Sequence, residues 1–358
     1  MKYRFLGFGA LAVLALLVSQ CTPPRETYRD PREVHLKHVK RLTTKGHNAE
    51  AYFSPDASLI TFQSTRDSFA CDQIFLMDTT GKILRLVSTG KGRTTCSYFL
   101  NDHQIMFAST HETLGPECPS NPLAQELLRK GIYTWPLYNY DLYVRDLRTD
   151  SLYKLYGSPG YDAELEGPDP NGRIVFTSTK DGDLDLYILE PPYTGEPRRL
   201  THEPGYDGGS FFSYSGRYIV YRAYHPQDST ELAQYRDLLQ KGLIIPFMHL
   251  EIFVYDTKTD STWQVTHTPE KAVNFAPFML PDEKRILFVS NLHNPGTRDF
   301  AIYLINLDGT GLERVTYMGS FNSFPMVSRD GKKIVFTSDR ARTKDEPGFD
   351  VFIADWVD

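Results

Sequence analysis

The chain has 358 residues, of which 41% are hydrophobic and 13% aromatic, and its formal charge is −6 at pH 7. This length and apolar content allow a sizeable buried core, in one large domain or two ordinary ones. The negative charge argues against nucleic acid as a partner, because nucleic-acid binding depends on a cationic surface.

The first residues are predicted to be a targeting segment. Lys2 and Arg4 precede an apolar run over residues 5–18, which is short for a membrane span. The run ends in Val-Ser-Gln-Cys, which resembles the bacterial lipoprotein cleavage box. Segment 1–21 is therefore predicted to be a lipoprotein-type signal peptide that ends at a lipidated Cys21. A plain cleaved signal and an uncleaved anchor are the alternatives.

Residues 22–33 follow this signal and include three prolines. Such a stretch is typical of an extended linker. It is predicted to be a tether between the membrane and the folded part of the chain.

A two-strand motif then recurs six times along the chain. Its clearest copy is residues 324–340, where Asp330 and Gly331 form a turn before the β-branched and aromatic run 333–338. The first strands of successive copies begin near residues 50, 96, 164, 210, 275 and 323. Four strands in a repeat of roughly 45 residues are typical of a propeller blade.

The two ends of the chain complete each other. Strand 34–43 has no hairpin partner beside it, and the sixth repeat stops after its third strand, 350–356. Within the first of these, Lys-Arg-Leu-Thr at 40–43 matches the fourth-strand pattern Arg-Arg-Leu-Thr at 198–201. We therefore predict an all-β fold over 34–358, a six-bladed β-propeller of four-stranded antiparallel blades that strand 34–43 closes into a ring. Closure removes exposed sheet edges.

Two inserts interrupt the repeats between second and third strands, at 111–139 in the second blade and 225–248 in the fourth. Both carry a similar pattern, at 123–132 and 235–244, that predicts a short amphipathic helix stopped by glycine. The inserts either cover apolar surface on one rim or form the walls of a binding mouth.

Export implies an oxidising compartment, in which Cys71, Cys96 and Cys118 can form disulfides. Three thiols allow one bridge, and Cys71 to Cys96 is the predicted pair. A metal site built from these thiols and His111 lacks the CxxC-type spacing of such sites.

Residues 313–340 and 172–202 carry the fullest form of the repeat, with an LT-like strand end, a PDG-like turn, an I-V-F strand and an S-x-R/K-D end. This pattern resembles the repeats of the TolB-type six-bladed β-propeller family, over residues 34–358. The resemblance implies the fold and a role in the cell envelope. TolB proteins carry an α/β domain before the propeller, for which we expect no room here.

Related propellers have enzymatic uses. They front prolyl-oligopeptidase-like peptidases, but the hydrolase domain and its G-x-S-x-G elbow are not found in this sequence. A related seven-bladed propeller forms the metal-dependent oligogalacturonate lyases. Fold alone does not decide between these uses.

Basic residues recur four positions after the aromatic residue that aligns between the second strands of the repeats. In a propeller these positions lie on one face, so they could form a cationic ring that binds a carboxylate or phosphate. Alternatively, each belongs to the turn of its own repeat and is solvated. The residues are Arg66, His111, Lys180, His225 and Arg340, with His293 following the exception, Leu292.

Acidic and aromatic residues cluster at the blade entries. The histidines could meet the acids Glu50, Asp162, Glu164 and Asp207 and hold a divalent metal, although lone histidines are more often structural. The aromatic residues could stack on a sugar or pack a peptide, or they could be core between blades. They are Tyr161, Tyr206, Phe211, Phe275 and Phe324.

The predicted function is that of an exported lipoprotein in the periplasm or on the surface of a Gram-negative bacterium, anchored in the outer membrane. Its propeller is expected to bind or scaffold an envelope protein or peptide without catalysis and without a cofactor. The alternative is a metal-assisted lyase or hydrolase acting on an acidic polysaccharide at the channel mouth. An acidic small molecule or glycan is a further candidate ligand.

Overall fold

The computed structural model describes residues 27–246, 248–343 and 345–358. The predicted signal peptide 1–21, its Cys21 and the start of the predicted tether 22–33 lie outside the described residues. Within them the chain forms six four-stranded antiparallel sheets and one two-stranded sheet. The predicted six-bladed β-propeller is confirmed.

The elements follow the chain in blade order. The closing strand and blade 1 are β1 (Leu36–Arg41), β2 (His47–Phe53), β3 (Leu59–Thr65), β4 (Gln73–Asp78) and β5 (Ile83–Leu86). Blade 2 and its insert are β6 (Thr94–Asn101), β7 (Gln104–Ser109), α1 (Pro122–Arg129), β8 (Trp135–Pro136), β9 (Asp141–Asp146) and β10 (Leu152–Tyr156). Blade 3 is β11 (Asp162–Glu166), β12 (Ile174–Ser178), β13 (Asp185–Leu189) and β14 (Arg198–Arg199).

The second half of the ring repeats this order. Blade 4 and its insert are β15 (Tyr206–Phe212), β16 (Tyr218–Tyr224), α2 (Ser229–Gln240), β17 (Leu243–Ile244), β18 (Glu251–Asp256) and β19 (Ser261–Gln264). Blade 5 is β20 (Asn274–Met279), β21 (Arg285–Ser290), β22 (Ala301–Asn306) and β23 (Glu313–Arg314). Blade 6 has β24 (Asn322–Val327), β25 (Lys333–Ser338) and β26 (Asp350–Trp356).

Strand β1 completes blade 6, as predicted. It pairs antiparallel with β26, with Leu36 opposite Trp356 and Arg41 opposite Phe352. Just beyond the strand, the Leu42 amide donates to the Val351 carbonyl at 2.8 Å. The two ends of the described chain therefore share one sheet, in which β1 covers the edge of β26 and completes the fourth strand of the blade.

Most of the core lies between neighbouring blades. The aligned aromatic residues of the second strands are all buried, and each packs among branched aliphatic side chains. In one such cluster, Ile74 and Leu76 of blade 1 pack with Phe107 and Tyr143 of blade 2. Burying a side chain of this size contributes roughly 1.5–3 kcal/mol, which is why the motif repeats in every blade.

Both inserts contain the predicted helix. Helix α1 has Asn121 as its N-cap, whose side chain accepts from the Ala124 amide. The stopping glycines, Gly131 and Gly242, adopt φ values of +82° and +67°, which favour glycine. Helix α2 is longer than the pattern predicted, since it begins at Ser229. Among the described residues, neither helix has the length and apolar character needed to cross a membrane.

The predicted disulfide partner is wrong. Cys71 is bonded to Cys118, with their Cα atoms 5.5 Å apart, and Cys96 is free. The reason is the path of the blade 2 insert, which returns to the β3–β4 loop of blade 1 and brings Cys118 beside Cys71. Cys96 instead lies on β6 and faces the centre of the ring.

Candidate binding site at the mouth of the central channel

In every blade the first strand carries one residue with left-handed backbone at a break in its pairing with the second strand. Bulges of this kind turn a side chain in a new direction. Here all six left-handed residues line one cavity at the centre of the ring. They are Glu50, Cys96, Glu164, Gly209, Ala276 and Phe324, with φ between +47° and +58°.

The two inserts form the walls of this cavity. Strands β8 and β17 pair antiparallel, with Trp135 opposite Ile244, so the blade 2 insert is joined to the blade 4 insert. Trp135, Ile244 and the neighbouring Tyr133 and Tyr138 line the cavity, whose volume is about 480 Å³. The second reading of the inserts, as walls of a binding mouth, fits this geometry.

Aromatic side chains form the floor. Tyr52 packs against Phe211 at 5.4 Å and Tyr98 at 5.6 Å between ring centroids, and Phe211 packs against Phe278 at 5.8 Å. Tyr52 and Phe211 line the mouth cavity, whereas Tyr98 and Phe278 line a second cavity of about 260 Å³. The rings therefore lie between the two cavities.

A buried ion pair joins blades 3 and 4 in the wall. The Arg222 guanidinium donates to Glu164 Oε1 at 2.5 Å and to the Tyr206 hydroxyl at 2.9 Å. Glu164 Oε2 accepts from Thr177 at 2.8 Å and from the Gly209 amide at 2.7 Å. Because both charged side chains are more than nine-tenths buried, these hydrogen bonds replace the lost hydration.

Glu50 faces the cavity from blade 1. Its side chain is half-buried, and the accessible part faces the cavity. Protein atoms surround it on the other sides. Burial raises the pKa of Glu50 to about 7, against the opposing effect of a hydrogen bond with the Cys96 thiol. Burial also raises the pKa of that thiol, which keeps Cys96 protonated near neutral pH.

A second, looser ion pair lies near the disulfide. Arg93 is 3.4 Å from Asp72, and its guanidinium lies 6.0 Å from the centroid of the Tyr138 ring. Both Arg93 and Asp72 line the cavity. The pair therefore connects the rim of blade 1 to the insert of blade 2.

The predicted basic ring lies elsewhere. Arg66 donates to Ser64 and Asn48 and stacks over Phe62, while Arg340 is buried against Glu33 at 3.2 Å and stacks over Phe336. None of the six basic residues named above lines the cavity. A ligand-binding role for them stays a prediction, and their geometry resembles the alternative, in which each serves its own repeat.

The other members of the ring also pair locally. Lys180 forms an ion pair with Glu196, and each histidine lies against an aromatic ring of its own blade. The centroid distances are 4.4 Å for His111 and Tyr143, 5.3 Å for His225 and Phe253, and 6.2 Å for His293 and Tyr303.

The predicted acids divide into two groups. Glu50 and Glu164 line the cavity, whereas Asp162 accepts from Ser158 and Ser178 inside blade 3. Asp207 meets His225 at 3.0 Å, the one acid–histidine contact among the predicted residues. Of the five predicted aromatic residues, Phe275 packs against Phe300, and the others line the cavity: Tyr161, Tyr206, Phe211 and Phe324.

Sequence reasoning missed the residues that complete the site. Arg222 follows the aligned aromatic Tyr221, at a position where the other repeats carry Gln, Ala, Thr or Val. A lone charge at that position was a usable signal. Trp135 gave no comparable signal, because its role depends on the pairing of two inserts that are far apart in sequence.

The described residues do not fit a metal centre. In residues 27–358, apart from the two left out, no group of three His, Cys, Asp or Glu side chains could hold a metal ion. Of the acids and histidines that the metal hypothesis combined, Glu50 and Glu164 face the cavity, whereas Asp207 and His225 form a pair that has no third possible ligand among the described residues.

No protein-family model matches the chain. Among solved structures, TolB from Acinetobacter baumannii is 15% identical, with a TM-score of 0.53 over 87% of this chain and 63% of that one. A putative TolB from Agrobacterium tumefaciens is 14% identical, with a TM-score of 0.56 over 89% and 97%. The fold is that of a TolB-like β-propeller. This chain thus spans less than two thirds of the Acinetobacter TolB.

The fold is also similar to that of an enzyme. Oligogalacturonate lyase from Vibrio parahaemolyticus is 14% identical to this chain, with a TM-score of 0.51 over 92% of this chain and 96% of the lyase. At such identity the likeness concerns the fold alone. The function must therefore be argued from the cavity.

Proposed function

We propose that this protein is an exported envelope protein whose TolB-like propeller binds a segment of another protein or peptide in the mouth cavity, without catalysis. The observation that carries the proposal is the pairing of β8 with β17, which converts the open end of the channel into a walled pocket. A propeller needs neither insert to close its ring, so the two inserts serve this rim.

The lining supports recognition of a peptide segment. Aromatic residues are enriched where proteins bind one another, because they bury large areas and lose little conformational entropy. Trp135, Tyr138, Tyr161 and Phe211 line this cavity. Its volume of about 480 Å³ is within the range of sites that enclose a ligand and suits a few side chains of an inserted segment.

Export is supported by the disulfide. Bonds such as Cys71–Cys118 form and persist in oxidising compartments, which include the bacterial periplasm. Together with the signal-like N-terminus, the disulfide supports a periplasmic or cell-surface location, with Cys21 as the lipid anchor in the outer membrane. Mass spectrometry of the mature N-terminus tests this, since an unmodified residue there would contradict the anchor.

The alternative, a metal-assisted lyase or hydrolase for acidic polysaccharide, has less support. The described residues offer no candidate metal cluster. Both basic side chains of the lining, Arg93 and Arg222, are already paired with acids, which disfavours a polyanionic substrate.

The test combines identification of the segment with a matched pair of variants. Partners captured from envelope extract are cross-linked in place, and the cross-linked segment is synthesised for calorimetry. We expect Trp135→Ala to weaken binding of this segment by about tenfold or more, the usual effect of losing an aromatic anchor. Leu128→Ala, on the exposed face of α1, is the control and should leave binding unchanged.

Two results would overturn the proposal. One is a cross-linked segment that maps to another surface of the propeller. The other is equal binding by the wild-type protein and the Trp135→Ala variant, with both correctly folded by circular dichroism.

A further inference from the structure

The ionisable side chains of the mouth cavity are unbalanced. Three acids, Glu50, Asp72 and Glu164, and two bases, Arg93 and Arg222, line it. Arg222 pairs with Glu164 at 2.5 Å and Arg93 with Asp72 at 3.4 Å. Both bases are therefore committed, and Glu50 remains as an acid without a basic partner in the lining.

The fold directs Glu50 into the cavity. Its left-handed backbone, with φ of +48°, lies at the break in the pairing of β2 with β3. The same left-handed position recurs in all six blades, so the fold places whichever residue occupies it in the cavity. In blade 1 that residue is an acid.

The groups that face Glu50 shift its titration toward neutral pH and so favour its uncharged form. They are the Cys96 thiol of blade 2, Glu164 of blade 3, Arg222 of blade 4 and Asp72 of blade 1. Burial is the largest effect and the two acids add to it, whereas Arg222 and the thiol oppose it. Together they raise the pKa of Glu50 to about 7. A cation beside Glu50 would favour the carboxylate and release this proton.

The walls suit a cation with an apolar stem. Faces of Tyr and Trp rings attract ammonium and guanidinium groups, most strongly where water is excluded. The Arg222 guanidinium already lies 5.9 Å from the Trp135 ring centroid and 5.4 Å from that of Tyr206. Tyr52 and Tyr161 offer further aromatic surface in the same cavity.

We propose that the mouth cavity recognises one alkylammonium group of the inserted peptide, with the Glu50 carboxylate as its counterion and the surrounding aromatic rings as its walls. The inference rests on the proposed function and specifies its ligand. The ammonium comes from a lysine side chain or from the N-terminus of the segment. Binding below pH 7 displaces the Glu50 proton, so affinity rises with pH up to about 7. At higher pH the affinity levels for a lysine ammonium and falls for an N-terminal ammonium, whose own pKa is about 8.

The experiment uses three small probes with the full-length mature protein. Nα-acetyl-lysine amide carries a side-chain ammonium, alanyl-alanine amide carries an N-terminal ammonium, and Nα-acetyl-norleucine amide is a neutral match for the first. Calorimetry at pH 6 and pH 8, in buffers of different ionisation enthalpy, reports both affinity and proton release. The matched variants are Glu50→Gln and Glu166→Gln.

We expect at least one ammonium probe to bind tenfold or more tightly than the neutral probe, which corresponds to about 1.4 kcal/mol. At pH 6 its binding should release about one proton, because Glu50 is then mostly protonated. Glu50→Gln should abolish both effects. Glu166→Gln should change neither, since Glu166 is a buried acid of the second cavity. The stronger of the two ammonium probes identifies the source of the group.

The cation site is wrong if Glu50→Gln leaves binding unchanged, or if ammonium and neutral probes bind alike. In those cases the cross-linked segment can still depend on Trp135, and the proposed function stands. If that segment is insensitive to Trp135→Ala, the proposed function fails irrespective of Glu50.

Discussion

The residues around Arg222 show how a charge is tolerated inside a propeller. Its guanidinium is surrounded by Glu164, Tyr206 and the Trp135 ring, and the partner carboxylate accepts further hydrogen bonds from Thr177 and Gly209. Each member of this network is satisfied by another. Removing one partner therefore costs more than replacing the whole pair with neutral side chains.

We predict that Arg222→Ala lowers the free energy of unfolding by about 3–5 kcal/mol, because Glu164 then remains buried without its counterion. Urea denaturation followed by tryptophan fluorescence measures the change. Lys241→Ala, in the insert of the same blade, is the matched control, since both members of its pair with Asp237 are exposed and the pair should contribute about 1 kcal/mol or less.

A double variant checks the explanation. Glu164→Gln combined with Arg222→Met removes both charges and keeps most of the volume, so it should be more stable than Arg222→Ala alone. If the double variant were the less stable of the two, the uncompensated charge would not be the cause of the loss.

Among the elements, the blade 2 insert is held to its surroundings at two places. The bond Cys71–Cys118 ties its start to blade 1, and β8 pairs with β17 of the blade 4 insert. Within the insert, Tyr138 donates to the Pro119 carbonyl at 3.1 Å. Helix α1 itself has no fully buried residue. The position of the insert therefore depends on its tethers more than on a core of its own.

We predict that Cys118→Ser lowers the free energy of unfolding by about 2–4 kcal/mol, because the disulfide closes a loop of 47 residues in the unfolded chain. Chemical denaturation with and without dithiothreitol measures it. Cys96→Ser is the control, because it keeps the Cys71–Cys118 bond. Reductant should lower the stability of the wild-type protein and of Cys96→Ser, and it should leave the stability of Cys118→Ser unchanged. Equal sensitivity of Cys118→Ser to reductant would contradict this assignment.

These elements also show what a sequence can and cannot predict. The blades follow from local patterns, since a turn such as Asp330-Gly331 and an alternating run such as 333–338 specify a hairpin without distant information. The inserts were predictable by their excess length. The pairing of Trp135 with Ile244 and the disulfide between Cys71 and Cys118 depend on the three-dimensional path of long loops. No local sequence pattern specifies that path.

The site was predicted in part for the same reason. Glu50, Glu164 and most of the entry aromatics line the cavity, because they lie on first strands that face the centre, and their ligand-binding role stays a prediction. The basic residues after the second strands were predicted to surround the mouth, but the side chains of Arg66 and Arg340 and of the three histidines contact aromatic rings of their own blades. Arg66 and Arg340 stack on phenylalanine there, so their repetition reflects blade construction.

For the molecule as a whole, stability depends on joining the two ends of the described chain. Besides β1, the preceding segment is docked: Glu33 is fully buried, accepts from the amides of Tyr317 and Met318, and pairs with Arg340. Tyr28 packs against Phe352 at 5.7 Å between centroids. The contacts that close the ring thus include Tyr28 and Glu33, which lie in the segment predicted to be a tether. Arg340 takes part in these contacts through its ion pair with Glu33.

We predict that a chain beginning at residue 44 does not form the closed ring, whereas one beginning at residue 27 is as stable as one beginning at residue 22. Removing β1 exposes the full length of β26 and leaves Arg340 buried without Glu33, so both an edge and an unpaired charge result. Circular dichroism and limited proteolysis distinguish the two chains.

Because the missing strand is a separate segment in space, a synthetic peptide of residues 27–43 should restore protection of the shortened chain from proteolysis when it is added in excess. The stability of the complex should rise with the peptide concentration. A peptide with Glu33→Gln and Leu36→Asp should fail to do so, since Leu36 is fully buried. Native-like protection of the chain beginning at residue 44 in the absence of any peptide would show that the ring does not need its closing strand.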